Sequence, residues 1–233
     1  MNLKKRDCNI KMKIVPYGGG WTDVYLDFGQ EELYFVISYC VGNSFTDFMK
    51  ILYHFYDNQR DPEREEDMLY SQFDAKWLLE TGREHTCTPK DLEDLKIAEC
   101  YDEVPWIADF SWDEEGSCSD WHIKRILPDK EGITLSIDIV ICRSEVKKYH
   151  YEVSYKELCY AVAKAYTEML KTYGFMGYHV SVYNEDAHIR YFLFLKAYAL
   201  DCLEILALKS SGEKGDGEHS DFEKELELLL FDM

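Results

Sequence analysis

The residues best placed to do chemistry form one passage, Phe110-Ser111-Trp112-Asp113-Glu114-Glu115-Gly116-Ser117-Cys118-Ser119-Asp120-Trp121. Two tryptophans, Trp112 and Trp121, flank four carboxylates, Asp113, Glu114, Glu115 and Asp120, in a pattern that predicts strand, turn and strand. Clustered carboxylate oxygens suit a hard cation such as Ca²⁺ or Mg²⁺. The spacing is not that of an EF-hand loop, so no metal is expected here. The same carboxylates suit Arg or Lys on a protein partner, with the two indoles adding cation–π contact and buried area. The plainer alternative is a solvated turn whose tryptophans pack into the core.

Other constellations point away from catalysis. Gly18-Gly19-Gly20-Trp21 is not followed by Gly-Lys-Ser/Thr or by a helix-opening glycine pattern, and it reads as a turn between strands, not a phosphate cradle. The seven histidines include no His-Glu-x-x-His and no pair four residues apart, and no activated-serine motif occurs. The eight cysteines contain no C-x-x-C, which removes zinc-ribbon and thioredoxin-type sites. Cys40 and Cys142 lie in apolar runs and read as reduced core thiols. No catalytic residue, metal or cofactor is expected, and an enzyme is the weaker hypothesis.

Charge narrows the partner. The formal net charge of −19 is local: residues 57–120 carry six Lys+Arg against twenty Asp+Glu, and 210–233 carry two against eight. The remaining stretches, 1–56 and 121–209, are close to neutral. Such a field steers association with cationic partners and opposes the counterion release on which nucleic-acid affinity depends. A basic protein partner is therefore expected, and direct nucleic-acid contact is not. The basic start Lys4-Lys5-Arg6 leads into Asn9, Lys11 and Lys13 instead of an apolar stretch, and no window has the length of a membrane span. The chain reads as cytoplasmic, with no membrane contact.

The elements that must hold the passage are legible from periodicity. Residues 11–41 alternate as strands, with Gly29-Gln30-Glu31-Glu32 as a turn, and Ser44 opens a helix carrying Phe45, Phe48, Met49, Leu52, Tyr53 and Tyr56. Thr88-Pro89 signals another helix start. Strand patterns return at 106–112, 121–126, 133–141 and 149–155. Ser154 and Glu157 then open a helix that Gly174 ends, followed by a short strand or loop over 175–183. Asp186 caps a long helix through Leu206, and Ser220 with Glu223 caps a last one ending in Leu228-Leu229-Leu230-Phe231.

These elements predict an α+β fold, with antiparallel sheet or sheets covered by helices near 44–56, 154–173 and 186–209. One domain over 1–209 is expected, with an acidic linker and short helix over 210–233. Ile37-Ser38-Tyr39 and Val153-Ser154-Tyr155, each before a capped helix, also allow two related strand-then-helix halves, 1–103 and 104–209.

Trp112-Asp-Glu-Glu-Gly116, then Trp121-His-Ile-Lys-Arg125, then the run Tyr173-Gly174-Phe175-Met176-Gly177-Tyr178, resemble a pattern in small uncharacterised bacterial α+β proteins of the toxin-immunity type. The resemblance covers about residues 106–200. It implies a non-enzymatic immunity or inhibitor protein that engages a basic partner, such as a nuclease toxin, through an acidic face. Carboxylates presented where phosphates would go can fill a nuclease cleft. The alternatives are a metal-dependent hydrolase whose carboxylate and histidine ligands come from distant positions, and a structural or adaptor module.

Overall fold

A computed structural model describes residues 3–5, 7–38, 45–56, 107–113, 117–126, 132–181, 189–207 and 220–233. The acidic stretch 57–106, the caps expected at Ser44 and Asp186, the helix start at Thr88 and the linker 210–219 lie outside them.

The architecture is α+β, with two antiparallel sheets. The first joins β1 (Lys11–Gly18), β2 (Trp21–Asp27) and β3 (Glu32–Ser38) in chain order. Gly19 and Gly20 both take positive φ, +65° and +82°, which a two-residue hairpin turn demands and a side chain resists. The glycine run is thus the turn its composition suggests. At the next corner Asp27 Oδ1 accepts the Gly29 N–H at 2.7 Å. Helix α1 (Phe45–Tyr56) follows.

The second sheet joins β4 (Ile107–Asp113), β5 (Cys118–Ile126), β6 (Thr134–Cys142) and β7 (Val146–Ser154), again in chain order. Strict alternation sets its two faces: Leu135, Ile137, Ile139 and Ile141 of β6 are buried, and the residues between them point outward. Helix α2 (Tyr155–Ser181) leaves directly from β7, and Gly174, at φ +66°, breaks its regularity as anticipated. The chain beyond Gly174 is helical as far as Ser181, where the sequence had suggested strand or loop. Helix α3 (Ile189–Ala199) is shorter than its apolar pattern. Asp201 adopts φ +56°, its N–H bonding Tyr198 O at 3.2 Å while Cys202 N–H bonds Ala197 O at 2.9 Å; this paired cap stops the helix. Lys156 pairs with the Asp201 carboxylate. Leu203–Leu206, expected in the same helix, form a separate 3₁₀ turn.

One continuous core unites both sheets and the helices. At its centre Phe35 of β3 lies 5.3 Å from Trp112 and 5.1 Å from Trp121, with Phe48 of α1 5.4 Å and 5.8 Å from the same indoles. Burying each such side chain contributes about 1.5–3 kcal/mol, with about 0.5–1.5 more for well-placed ring pairs. Tyr155, where β7 becomes α2, ties the layers together by donating its hydroxyl to Leu52 O of α1 at 2.5 Å.

The C-terminal helix α4 (Phe222–Leu230) docks through Leu228, and Met233 is buried beyond it. Its cap is Asp221, which accepts the Lys224 N–H, one residue after the expected Ser220. A fully buried lysine receives it. Lys196 Nζ donates to Thr167 Oγ1 at 3.2 Å, Leu229 O at 3.1 Å and Phe231 O at 2.7 Å, filling all three ammonium donors. Burial holds this ammonium down at about 8, with Lys171 lowering it further and Asp232 opposing. Asp232, bridged to Lys171 and Lys5, closes the latch from outside.

Candidate functional site

The strands divide the expected site between two faces. Trp112 and Trp121 point inward and are fully buried, so neither offers surface or cation–π contact to a partner. This corrects the partner-contact reading for both indoles, and the reason is alternation. Ser119, Trp121 and Ile123 share one face of β5 with the core, while Asp120 faces outward. Trp121 Nε1 donates to Ser119 Oγ at 3.3 Å. Trp112 Nε1 has no hydrogen-bond partner among the described residues, at a cost of about 1–3 kcal/mol that its ring packing must offset. Asp113 ends β4 opposite Cys118, and Glu114 and Glu115 lie outside the described residues. Asp120 is exposed and accepts Ser111 Oγ–H at 2.7 Å.

Register brings together residues that spacing had not singled out. Asp109 of β4 stands opposite His122 of β5, His122 opposite Asp138 of β6, and Asp138 opposite His150 of β7. These four form one cross-strand row of alternating carboxylate and imidazole. With strands about 4.8 Å apart, the row spans about 14 Å. His122 Nδ1 lies 2.6 Å from Asp109 Oδ1, and His150 Nδ1 lies 2.7 Å from Asp138 Oδ1. A carboxylate only accepts, so Nδ1 carries the proton in each pair, leaving Nε2 of the neutral ring as a bare acceptor. The hydrogen bond to Asp109 raises the His122 pKa above its ordinary 6.5, burial opposes it, and the charges of Asp109 and Asp138 raise it further. Side-chain exposures of 39% for His122 and 59% for Asp109 leave the pair well screened.

A second row, Ser111–Asp120–Val140–Lys148, runs beside the first, and a third pairs Asp113 with Cys118, Cys142 and Val146. Cys142 is therefore half-exposed on the outer face and not in the core as its apolar neighbours suggested, because alternation buries Ile141 and turns the next position out. Among the described residues Cys159 and Cys202 are the buried thiols, and the described cysteines form no disulfide. The Cys118, Asp120 and Cys142 ligand atoms all lie within 4.8 Å of one another. The signal for this face was present in the alternation of β5 and β6. The register that aligns it depends on turns whose lengths the periodicity does not fix.

The face can attract cations through Asp109, Asp120 and Asp138, exchange a proton at His122, and offer thiols at one end. No described helix is long and apolar enough to cross a membrane. Comparison with protein-family models, with curated proteins and with solved structures found no match, which leaves the chemistry of this face as the guide to function.

Proposed function

We propose that this is a non-enzymatic binding protein of the immunity or inhibitor type, which engages a basic protein through the outer face of the second sheet. The observation that carries the reading is the placement of Asp109, Asp120 and Asp138 on one exposed face of a sheet whose other face is the packed core. A backed sheet presents charges at fixed spacing, so little ordering entropy is lost on docking. The carboxylates of Glu114 and Glu115 lie in the connection between β4 and β5, in the stretch that holds most of the negative charge. The resemblance to bacterial toxin-immunity proteins over residues 106–200 agrees with such a role, and a nuclease toxin is a suitable basic partner. Steered association of this kind is fast and falls steeply with salt.

Affinity capture followed by mass spectrometry tests this. The expected result is a basic protein whose affinity drops as salt rises and drops again with Glu114→Lys and Glu115→Lys at an unchanged melting temperature. A complex indifferent to salt would contradict the electrostatic basis. The competing reading, an enzyme with a carboxylate and histidine site, is favoured by the two Asp–His pairs, whose orientation is that of a general base and its positioning carboxylate. It predicts turnover of a small substrate that His122→Gln or His150→Gln abolishes.

A further inference from the structure

Independently of the partner reading, the geometry points to a soft-metal site at the β5–β6 end of the outer face, in which Cys118, Asp120 and Cys142 bind one zinc ion. Cys118 and Cys142 are directly opposed in the ladder, and Asp120, two residues after Cys118, shares their face. All three ligand atoms lie within 4.8 Å of one another. A tetrahedral zinc with Zn–S of about 2.3 Å needs its sulfurs about 3.8 Å apart, so small χ1 adjustments close the site without moving the strands.

Asp120 is already oriented for this. Its Oδ1 accepts the Ser111 hydroxyl at 2.7 Å, while Oδ2 lies 3.9 Å from Cys118 Sγ. An outer hydroxyl that holds one carboxylate oxygen and aims the other at the metal is the usual support of a ligating carboxylate. Two sulfur donors exclude the hard-cation chemistry considered for the neighbouring carboxylates, since Ca²⁺ and Mg²⁺ take oxygen ligands. Binding converts both thiols to thiolates and releases their protons to solvent, which makes affinity rise with pH. Three protein ligands leave the fourth tetrahedral position to water. The sequence concealed this site because its cysteines lie on different strands of a hairpin and not in a close pair.

The test uses the full chain, reduced, stripped with chelator and titrated anaerobically with Co²⁺. One equivalent should give sulfur-to-cobalt charge-transfer absorbance with the visible bands of tetrahedral cobalt, and Zn²⁺ should displace it. Cys118→Ser and Cys142→Ser should each abolish the charge-transfer signal, Ser111→Ala should weaken affinity by about 10–100-fold, and Cys202→Ser should change nothing. In the unmutated protein, Zn²⁺ should protect Cys118 and Cys142 from alkylation, as mapped by mass spectrometry, which keeps the test independent of variant folding. Absence of the charge-transfer band, its persistence in the double Cys118→Ser/Cys142→Ser variant, or equal alkylation with and without Zn²⁺ would each overturn the assignment.

Discussion

The two sheets are built alike and turned outward differently. Across the first runs a row from Lys13 of β1 to Tyr25 of β2 and Tyr34 of β3, with Arg143 from the β6–β7 turn completing it. Lys13 Nζ is 5.7 Å from the Tyr25 ring centroid, the two tyrosine rings are 5.2 Å apart, and the Arg143 guanidinium is 5.3 Å from Tyr34. Arg143 also donates to Tyr34 O at 2.9 Å, lashing the second sheet to the edge of the first. Across the second sheet the equivalent row is Asp109–His122–Asp138–His150. The first row joins fixed cations to rings; burial and the hydrogen bond to Asp23 push the Tyr34 hydroxyl up to about 12, so it stays neutral. The second row is acidic and contains a histidine, His122, whose pKa its hydrogen bond to Asp109 raises. One packing scheme thus supports a face of cations braced on rings and a face of carboxylates and imidazoles.

The largest test of this comparison removes what the faces share. Trp121→Ala should cost about 3–5 kcal/mol in urea unfolding, because the residue is packed against Phe35, Phe48, Phe110 and Trp112. Both faces should melt together; separate transitions would break the claim that they rest on one core. Next, Asp138→Lys and Glu32→Lys make the same charge change on the outward faces of the two sheets. The first should weaken partner binding by at least about tenfold, about 1.4 kcal/mol, and the second by much less. Equal losses would mean that net charge, and not the face, governs association.

Smaller effects sharpen the contrast. Tyr34→Phe removes the 2.8 Å hydrogen bond to Asp23 and should lower stability by about 0.5 kcal/mol, at the low end for a hydrogen bond in an exposed setting, with partner affinity unchanged. The smallest effect is pH-dependent. Because the folded pKa of His122 is raised above 6.5, its pairing with Asp109 stabilises the fold fully below pH 6.5 and this contribution is lost as pH rises through the folded value. The stability difference between wild type and His122→Gln, under about 1 kcal/mol for so exposed a pair, should therefore be largest below pH 6.5 and shrink as pH rises above it. A difference that grows would assign the wrong partner to the imidazole.

Much of the scaffold was legible because it follows from period. The alternation of 133–141 gave β6 and its inward isoleucines, the aromatic stripe after Ser44 gave α1, and Gly19 and Gly174 marked a turn and a helix break. The end of α3 was not legible, since apolar periodicity runs on to Leu206 while Asp201 caps the helix through a left-handed conformation that aspartate adopts only in context. Of the expected site, the two indoles lie on the inner face and Asp120 on the outer one. Trp112 and Trp121 stood out by composition, but size and apolarity drew them into the core. Asp109, His122, Asp138 and His150 are scattered over 42 positions of chain and become neighbours only through the register of three ladders.

On the proposed function, the outer face of the second sheet is the working one. The most direct measurement is the affinity of the captured basic partner for wild type, Asp109→Lys/Asp138→Lys and Glu32→Lys, titrated from about 0.05 to about 0.3 M salt, over which screening shortens steeply. Wild type and Glu32→Lys should bind tightly at low salt and weaken in parallel as salt rises, while the double variant should be weak throughout. A double variant that binds as wild type does, at any salt, would contradict the proposed function.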